Sequence, residues 1–264
     1  MTIHARTIAA PASLRAWVHE LWALRGRNPR AIEPIFPDVH AAELVFCRGP
    51  AGRFLAEPTI DQGARMVVGG LDRALAYAMP DPADLIGLRL PGGCACLLGI
   101  RPAALRGRIV ALAELDRGLD RRLAEWQARE RPASELWSVL AEHVEGREHR
   151  CAHRVRAAAA RLIDAPIELP TLAAALGCSR RQLSREFAGE LGISSRRFVQ
   201  LARFARAWRA LGRAAPTRWA QAALELGYCD QPHLIREFRA LAGGTPARLF
   251  APDWYAGVVH ERPE

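Results

Sequence analysis

The chain has 264 residues, half of them hydrophobic and a quarter charged, which excludes wholesale disorder and fits one large domain or two ordinary ones. No apolar run approaches the roughly 18 residues of a membrane span; residues 1–17, with Arg6 and Arg15, do not read as a secretory signal, so a cytoplasmic protein with six free thiols (Cys47, Cys94, Cys96, Cys151, Cys178, Cys229) is expected. All 37 basic residues are arginine, which excludes Schiff-base and phosphate-loop lysine chemistry.

Ser13–Leu24 places Leu14, Trp17, Val18, Leu21 and Trp22 at helical spacing and predicts a short amphipathic helix. Three apolar runs bounded by Gly/Pro turns predict strands: Ala42–Cys47, Arg65–Gly70 and Asp84–Leu90. Short strands of this kind predict a small antiparallel sheet or barrel. From Pro102 the period becomes helical, over 102–115, 119–130 and 133–145. The polar stretch 146–150 marks a domain boundary, and beyond it strand signals vanish. The fold class is therefore α+β: an amino-terminal domain over 1–146, an all-α domain over 150–250, and a tail over 251–264.

The charge divides at the same place. Residues 150–250 hold 17 arginines against 7 acids, a net of +10, whereas the remainder holds 20 against 21. A near-neutral front joined to a strongly basic end is the electrostatic outline of a nucleic-acid-binding regulator.

That basic half contains a repeat. Leu183–Phe187 and Leu234–Phe238 both read Leu-x-Arg-Glu-Phe, each followed by a glycine after four residues (Gly192, Gly243), at an offset of 51. Upstream, Ala173 and Gly177 correspond to Ala223 and Gly227. A small residue in a short helix, a glycine for a left-handed turn and a capping residue (Ser179, Asp230) together spell a helix-turn-helix unit. Leu183, Phe187 and Leu191, and Leu234, Phe238 and Leu241, make the buried faces. The opposite faces present Arg181, Gln182, Ser184 and Arg185 in one copy and Gln231, Pro232, His233 and Arg236 in the other. Arginine and glutamine carry the forked groups that match guanine and adenine edges. Gln182 has two claims on it, a capping box with Ser179 and a base contact. Ser194–Gly212 reads as one helix of about 28 Å at ~1.5 Å per residue, long enough to set the two units near one duplex turn, about 34 Å, apart.

These residues resemble the DNA-binding domain of AraC-type transcriptional regulators. Leu172-Ala173…Leu176–Phe187, Gly227–Phe238 and Gly244-Thr245-Pro246 carry the resemblance. It implies seven helices with two helix-turn-helix units joined by a long one, and DNA contacts from Arg181, Ser184, Arg185, Gln231, Pro232, His233 and Arg236, with Arg180 and Gln182 adjoining. Ser194-Ser195 departs from the family's usual Ser-Pro. Residues 14–115 resemble, more weakly, the amino-terminal domains of one branch of that family, through Pro37-Asp38…Glu43–Phe46, Val68-Gly69 and Gly87–Gly93. The expected partners are promoter duplex DNA, RNA polymerase, a small-molecule effector and a second copy of the chain.

Other chemistry has no motif behind it. Cys94-x-Cys96 is too closely spaced for a zinc knuckle; Cys151 between His149 and His153 has the makings of a local metal site, but the reading preferred is an idle thiol. No nucleophile elbow, zinc-protease helix or dinucleotide loop is present, so no enzyme, metal or cofactor is expected. Two readings of the front domain stay open: a sensor of a signal or small molecule, or an interaction module without a ligand.

Overall fold

The apolar alternation of the first 90 residues is realised as strands. In the computed structural model, which describes residues 3–27, 32–40, 42–49, 52–55, 65–91, 95–129, 132, 135–145, 153–213, 218–251 and 258–260, these are β1 (Ile3–Ala9), β2 (Glu20–Gly26), β3 (Ile32–Ile35), β4 (Ala42–Cys47), β5 (Arg53–Phe54), β6 (Arg65–Gly69), β7 (Leu75–Ala78) and β8 (Ala83–Leu90). Short helices α1 (Ala95–Leu98) and α2 (Pro102–Leu105) lead to strand β9 (Ile109–Ala111) and helices α3 (Leu112–Leu115), α4 (Arg117–Ala128) and α5 (Leu136–Val144). Then come α6 (His153–Asp164), α7 (Leu169–Ala175), α8 (Arg180–Leu191), α9 (Ser195–Arg213), α10 (Trp219–Glu225), α11 (Gln231–Ala242), α12 (Pro246–Leu249) and strand β10 (Val258–His260).

The front half is a seven-stranded sheet of order β10-β1-β2-β8-β4-β6-β9 and a three-stranded sheet of order β3-β7-β5. All pairings are antiparallel except β1 with β10. Strand alternation divides β4 between two cores. Leu44 and Phe46 face α4 and α5 with Leu119, Leu123, Trp126, Leu136 and Leu140, whereas Val45 and Cys47 face the small sheet with Phe54 and Tyr77. Burial of β4 on both faces explains its unbroken apolar run Leu44–Cys47.

Three expectations are corrected. Ser13–Leu24 is not a helix: residues 12–17 form turns, with Trp17 and Val18 amides bonded to Leu14 O, and the chain then enters β2. The reason is tertiary, because β2 is hydrogen-bonded along its length to β1 on one side and β8 on the other. The helical run over 102–115 is interrupted at Gly107, φ 64°, and by β9, which pairs with β6. The tail contributes β10, in register with Ile3–Ala5 of β1. The boundary stretch 146–150, with Cys94, His149 and Cys151, lies outside the described residues.

Beyond residue 153 the described chain, apart from β10, forms the seven helices α6–α12. One core joins α6, α7 and α8 to the start of α9; another joins the rest of α9 to α10, α11 and α12. Helix α9 thus supplies buried side chains to both: Phe198 and Ala202 to the first, Leu201, Phe204, Ala207 and Leu211 to the second.

Candidate nucleic-acid interface

Each repeat folds as its local chemistry dictates. Ala173 and Ala223 are buried where α7 and α10 approach their partner helices. Gly177 and Gly227 follow at φ 65° and 82°, a left-handed conformation that only glycine adopts without strain. The amides of Cys178 and Tyr228 then donate to Ala173 O (3.0 Å) and Ala223 O (2.9 Å). Ser179 Oγ accepts from the Gln182 amide at 3.1 Å, and Asp230 Oδ1 accepts from the His233 amide at 2.6 Å, so each recognition helix begins on a side-chain cap. The capping box is only half made: the Gln182 side chain donates to Glu186 Oε1 at 3.1 Å instead.

The buried faces are as spaced in the sequence. Phe187 packs edge-on against Phe198 at 5.2 Å between centroids, and Phe238 lies 4.9 Å from Phe204. Leu183, Leu191, Leu234 and Leu241 complete the two faces. Opposite them, Arg180, Arg181, Arg185, Pro232 and Arg236 are exposed, while Gln182, Ser184, Gln231 and His233 are half-buried.

Among the described residues, none of Arg180, Arg181, Arg185 and Arg236 makes a hydrogen bond or ion pair, unlike Arg154, Arg203 and Arg206. Arg154 donates to Glu186 Oε1 at 2.5 Å, Arg203 grips both oxygens of Glu237, and Arg206 donates to Leu162 O. The sequence reading did not foresee these anchors. Their one signal is the Glu of Arg-Glu-Phe, repeated in both copies and facing α6 in the first and α9 in the second.

The front domain grips the helical domain at three segments. Phe36 lies 4.3 Å from Trp208 between centroids, and Val39 packs against both helical cores. The Arg197 guanidinium donates to Asp72 O at 2.8 Å and faces its carboxylate, which Arg106 also holds. The Ala74 amide donates to Leu241 O at 2.8 Å, and a Cβ at Gly192 would lie 2.6 Å from Ala103 Cα. These contacts fall on α9 and on the carboxy-terminal ends of α8 and α11, away from the exposed arginines. A crevice between Asp38, His40, Leu71, Arg106, Leu191 and Ile193 has room for about one water.

A polar cluster stiffens the Phe36–His40 segment. Asp38 accepts from the Val39 amide at 2.5 Å and pairs with His40 at 2.8 Å. Arg89 bridges Glu43 and Glu20 and lies 3.8 Å from Asp38. Burial alone would raise the Asp38 pKa, but His40, Arg89 and the Val39 amide hold it well below the carboxylate range. Burial and His40, whose ring lies 5.2 Å away, push the His19 pKa down. Arg89 is held more basic than usual against its burial by Glu43, Asp38 and Glu20.

Residues 172–251 match the family model of a helix-turn-helix domain. No curated protein matches the chain. Among solved structures the chain is similar to a transcriptional regulator (AraC-type DNA-binding domain-containing proteins) from Chromobacterium violaceum, at 26% identity over 39% of this chain and 92% of that one, with a TM-score of 0.32. It is also similar to ToxT from Vibrio cholerae, at 8% identity over 97% of this chain and 98% of that one, with a TM-score of 0.47. Wild-type ToxT of the same organism with unsaturated fatty acid bound is 10% identical over 99% and 98% of the two chains, with a TM-score of 0.46. No described helix is long and apolar enough to cross a membrane.

Proposed function

With an AraC-type helix-turn-helix domain at residues 172–251 as the premise, we propose that this DNA-binding regulator reads promoter DNA sequence-specifically with both units and that a signal reaching its front domain controls it. The observation that carries the reading is a partition of arginines: Arg154, Arg203 and Arg206 are held by inward partners, whereas Arg180, Arg181, Arg185 and Arg236 on the outer faces of α8 and α11 have none among the described residues. Arg181 and Arg185, four residues apart, present one forked pair, with Arg180 and Ser184 beside them. Gln231, Pro232 and Arg236 present the second face. Gln182, bonded to Glu186, contributes mainly by holding that face in place. The domains proposed are 1–146 and 150–250, and no step in this function calls for catalysis.

The junction supports control by a signal. Residues 36–40, 70–74 and 102–106 touch the ends of both units without covering the exposed arginines. A change in the front domain would therefore alter how the two units are held relative to each other rather than uncover them. RNA polymerase and a second copy are the proposed protein partners.

The test is selection of bound duplexes from a random library by the full chain. The expected result is a motif of two blocks about one turn apart, with affinity falling steeply in salt as arginine–phosphate contacts release counterions. No enrichment, or binding indifferent to salt, refutes the reading.

A further inference from the structure

His233 stands on the second recognition helix among residues that a DNA reader would use, yet its half-buried ring is drawn toward the turn before that helix. The Cys229 amide donates to His233 Nδ1 at 3.4 Å. With Nδ1 accepting, the neutral ring carries its proton on Nε2. That N–H faces the Glu237 carboxylate at 3.9 Å from Oε2, beyond direct hydrogen-bond reach; the Arg203 guanidinium, 3.5 Å away and itself a donor, is held by Glu237 rather than by the ring. The ring face meets Tyr228 edge-on at 5.2 Å between centroids.

Glu237 is itself buried, 4% exposed. Arg203, rising from α9, holds both its oxygens and lies 4.8 Å over the Tyr228 ring. The pairing with Glu237 keeps Arg203 more basic than usual against its own burial. Burial and Glu237 both push the Tyr228 hydroxyl upward, so it stays protonated. A buried carboxylate left without its cation would be costly, so this group acts as one unit.

We propose that His233 is a positioning residue: its ring, bonded to the Cys229 amide and set against the Glu237–Arg203 pair, holds the turn Tyr228–Asp230 on α9 and fixes the docking angle of α11, leaving the second unit's DNA contacts to Gln231 and Arg236. The inference rests on the DNA-binding reading above. The first unit lacks this device. There Glu186 meets Arg154 and Gln182, and the residue at the place of His233 by the 51-residue offset is Gln182, which bonds Glu186 and does not reach the turn.

The experiment uses the full chain with substitutions His233→Ala, His233→Asn, His233→Gln and Glu237→Gln. Each is titrated against a panel of duplexes carrying every single base-pair change across the second unit's segment, and amide exchange at Cys229 is followed without DNA. An asparagine amide oxygen can stand where Nδ1 accepts; a glutamine reaches past it toward Nε2. The expected result is that His233→Ala weakens every duplex by the same factor, about five- to tenfold, the loss of one hydrogen bond of ordinary net strength, and speeds exchange at Cys229. His233→Asn should restore both, and Glu237→Gln should reproduce the uniform loss.

The proposal is overturned if His233→Ala flattens the preference at one base pair while Cys229 exchange is unchanged, or if His233→Asn rescues neither readout. Should His233→Ala fail to fold, His233→Asn against His233→Gln decides: near wild type for the first and a uniform loss for the second, or the lock is refuted. If the wild-type chain binds no duplex, the DNA-binding reading falls, and the exchange measurements still decide the lock.

Discussion

Replacing Arg185 or Arg181 by alanine separates reading from folding, because neither side chain has a partner among the described residues. Both point away from Leu183 and Phe187 and are exposed, so truncation should move folding stability by no more than about 0.5 kcal/mol. The whole effect should then appear on DNA. A forked arginine–guanine contact discriminates by about 1–3 kcal/mol, which is roughly five- to 150-fold on the specific duplex. On scrambled duplex only a phosphate contact is at stake, and the slope of log affinity against log salt should fall by about 0.9. Arg154→Ala is the contrast: it breaks the pair with Glu186, is a third exposed (34%), and should cost about 0.5–1 kcal/mol of stability. The assay is fluorescence anisotropy on specific and scrambled duplexes with thermal melts of the same samples. A lowered melting temperature for Arg181→Ala or Arg185→Ala, or an unchanged specific-to-scrambled ratio, refutes the assignment of the first unit as the main reader.

Arg236→Ala should weaken specific and scrambled duplexes more evenly, because Pro232 and Ile235 beside it offer few hydrogen bonds and leave the second unit weighted toward phosphate anchoring; a loss confined to the specific duplex contradicts this. Phe36→Ala removes the ring packed on Trp208 and should loosen the junction by about 1–2 kcal/mol, seen as faster amide exchange in both 36–40 and the middle of α9; exchange changed on one side only would mean the contact does not couple the domains. Because the His19 pKa is lowered in the folded chain, the unfolded chain binds a proton there that the folded chain does not, so stability should fall as pH drops below about 6.5. His19→Gln should remove that part of the decline, read from denaturant melts. The loss tied to Asp38, whose pKa is also lowered, should persist and set in only in stronger acid, below about pH 4. Cys47, Cys178 and Cys229 are free thiols, so mass spectrometry after handling without reductant should find no stoichiometric bridge among them.

The helix-turn-helix units were legible because their determinants are local. A left-handed glycine, a cap three residues ahead of the amide it receives and apolar residues four apart all act within one or two turns of chain. The repeat then supplied each unit with a second reading of the same grammar. Strands β4, β6 and β8 were legible for a similar reason, since their apolar runs end at Gly/Pro turns.

Tertiary structure decided the rest. Leu14, Trp17, Val18 and Leu21 have helical spacing, yet the backbone pairing of β2 with β1 and β8 overrides it. The apolar residues of β9 could belong to either element, and only the free edge of β6 makes them a strand. Neither β10 on β1 nor Phe36 on Trp208 has a local signal, because both join residues more than 150 positions apart. Among the candidate contact residues, spacing placed Gln182 and His233 on the recognition helices and went no further. Which way each turns depended on Glu186 and Glu237, and for His233 on Arg203, 30 residues earlier on another helix. Local spacing sets which face of a helix a residue occupies, whereas the charge buried beneath that face decides where a flexible polar side chain is drawn.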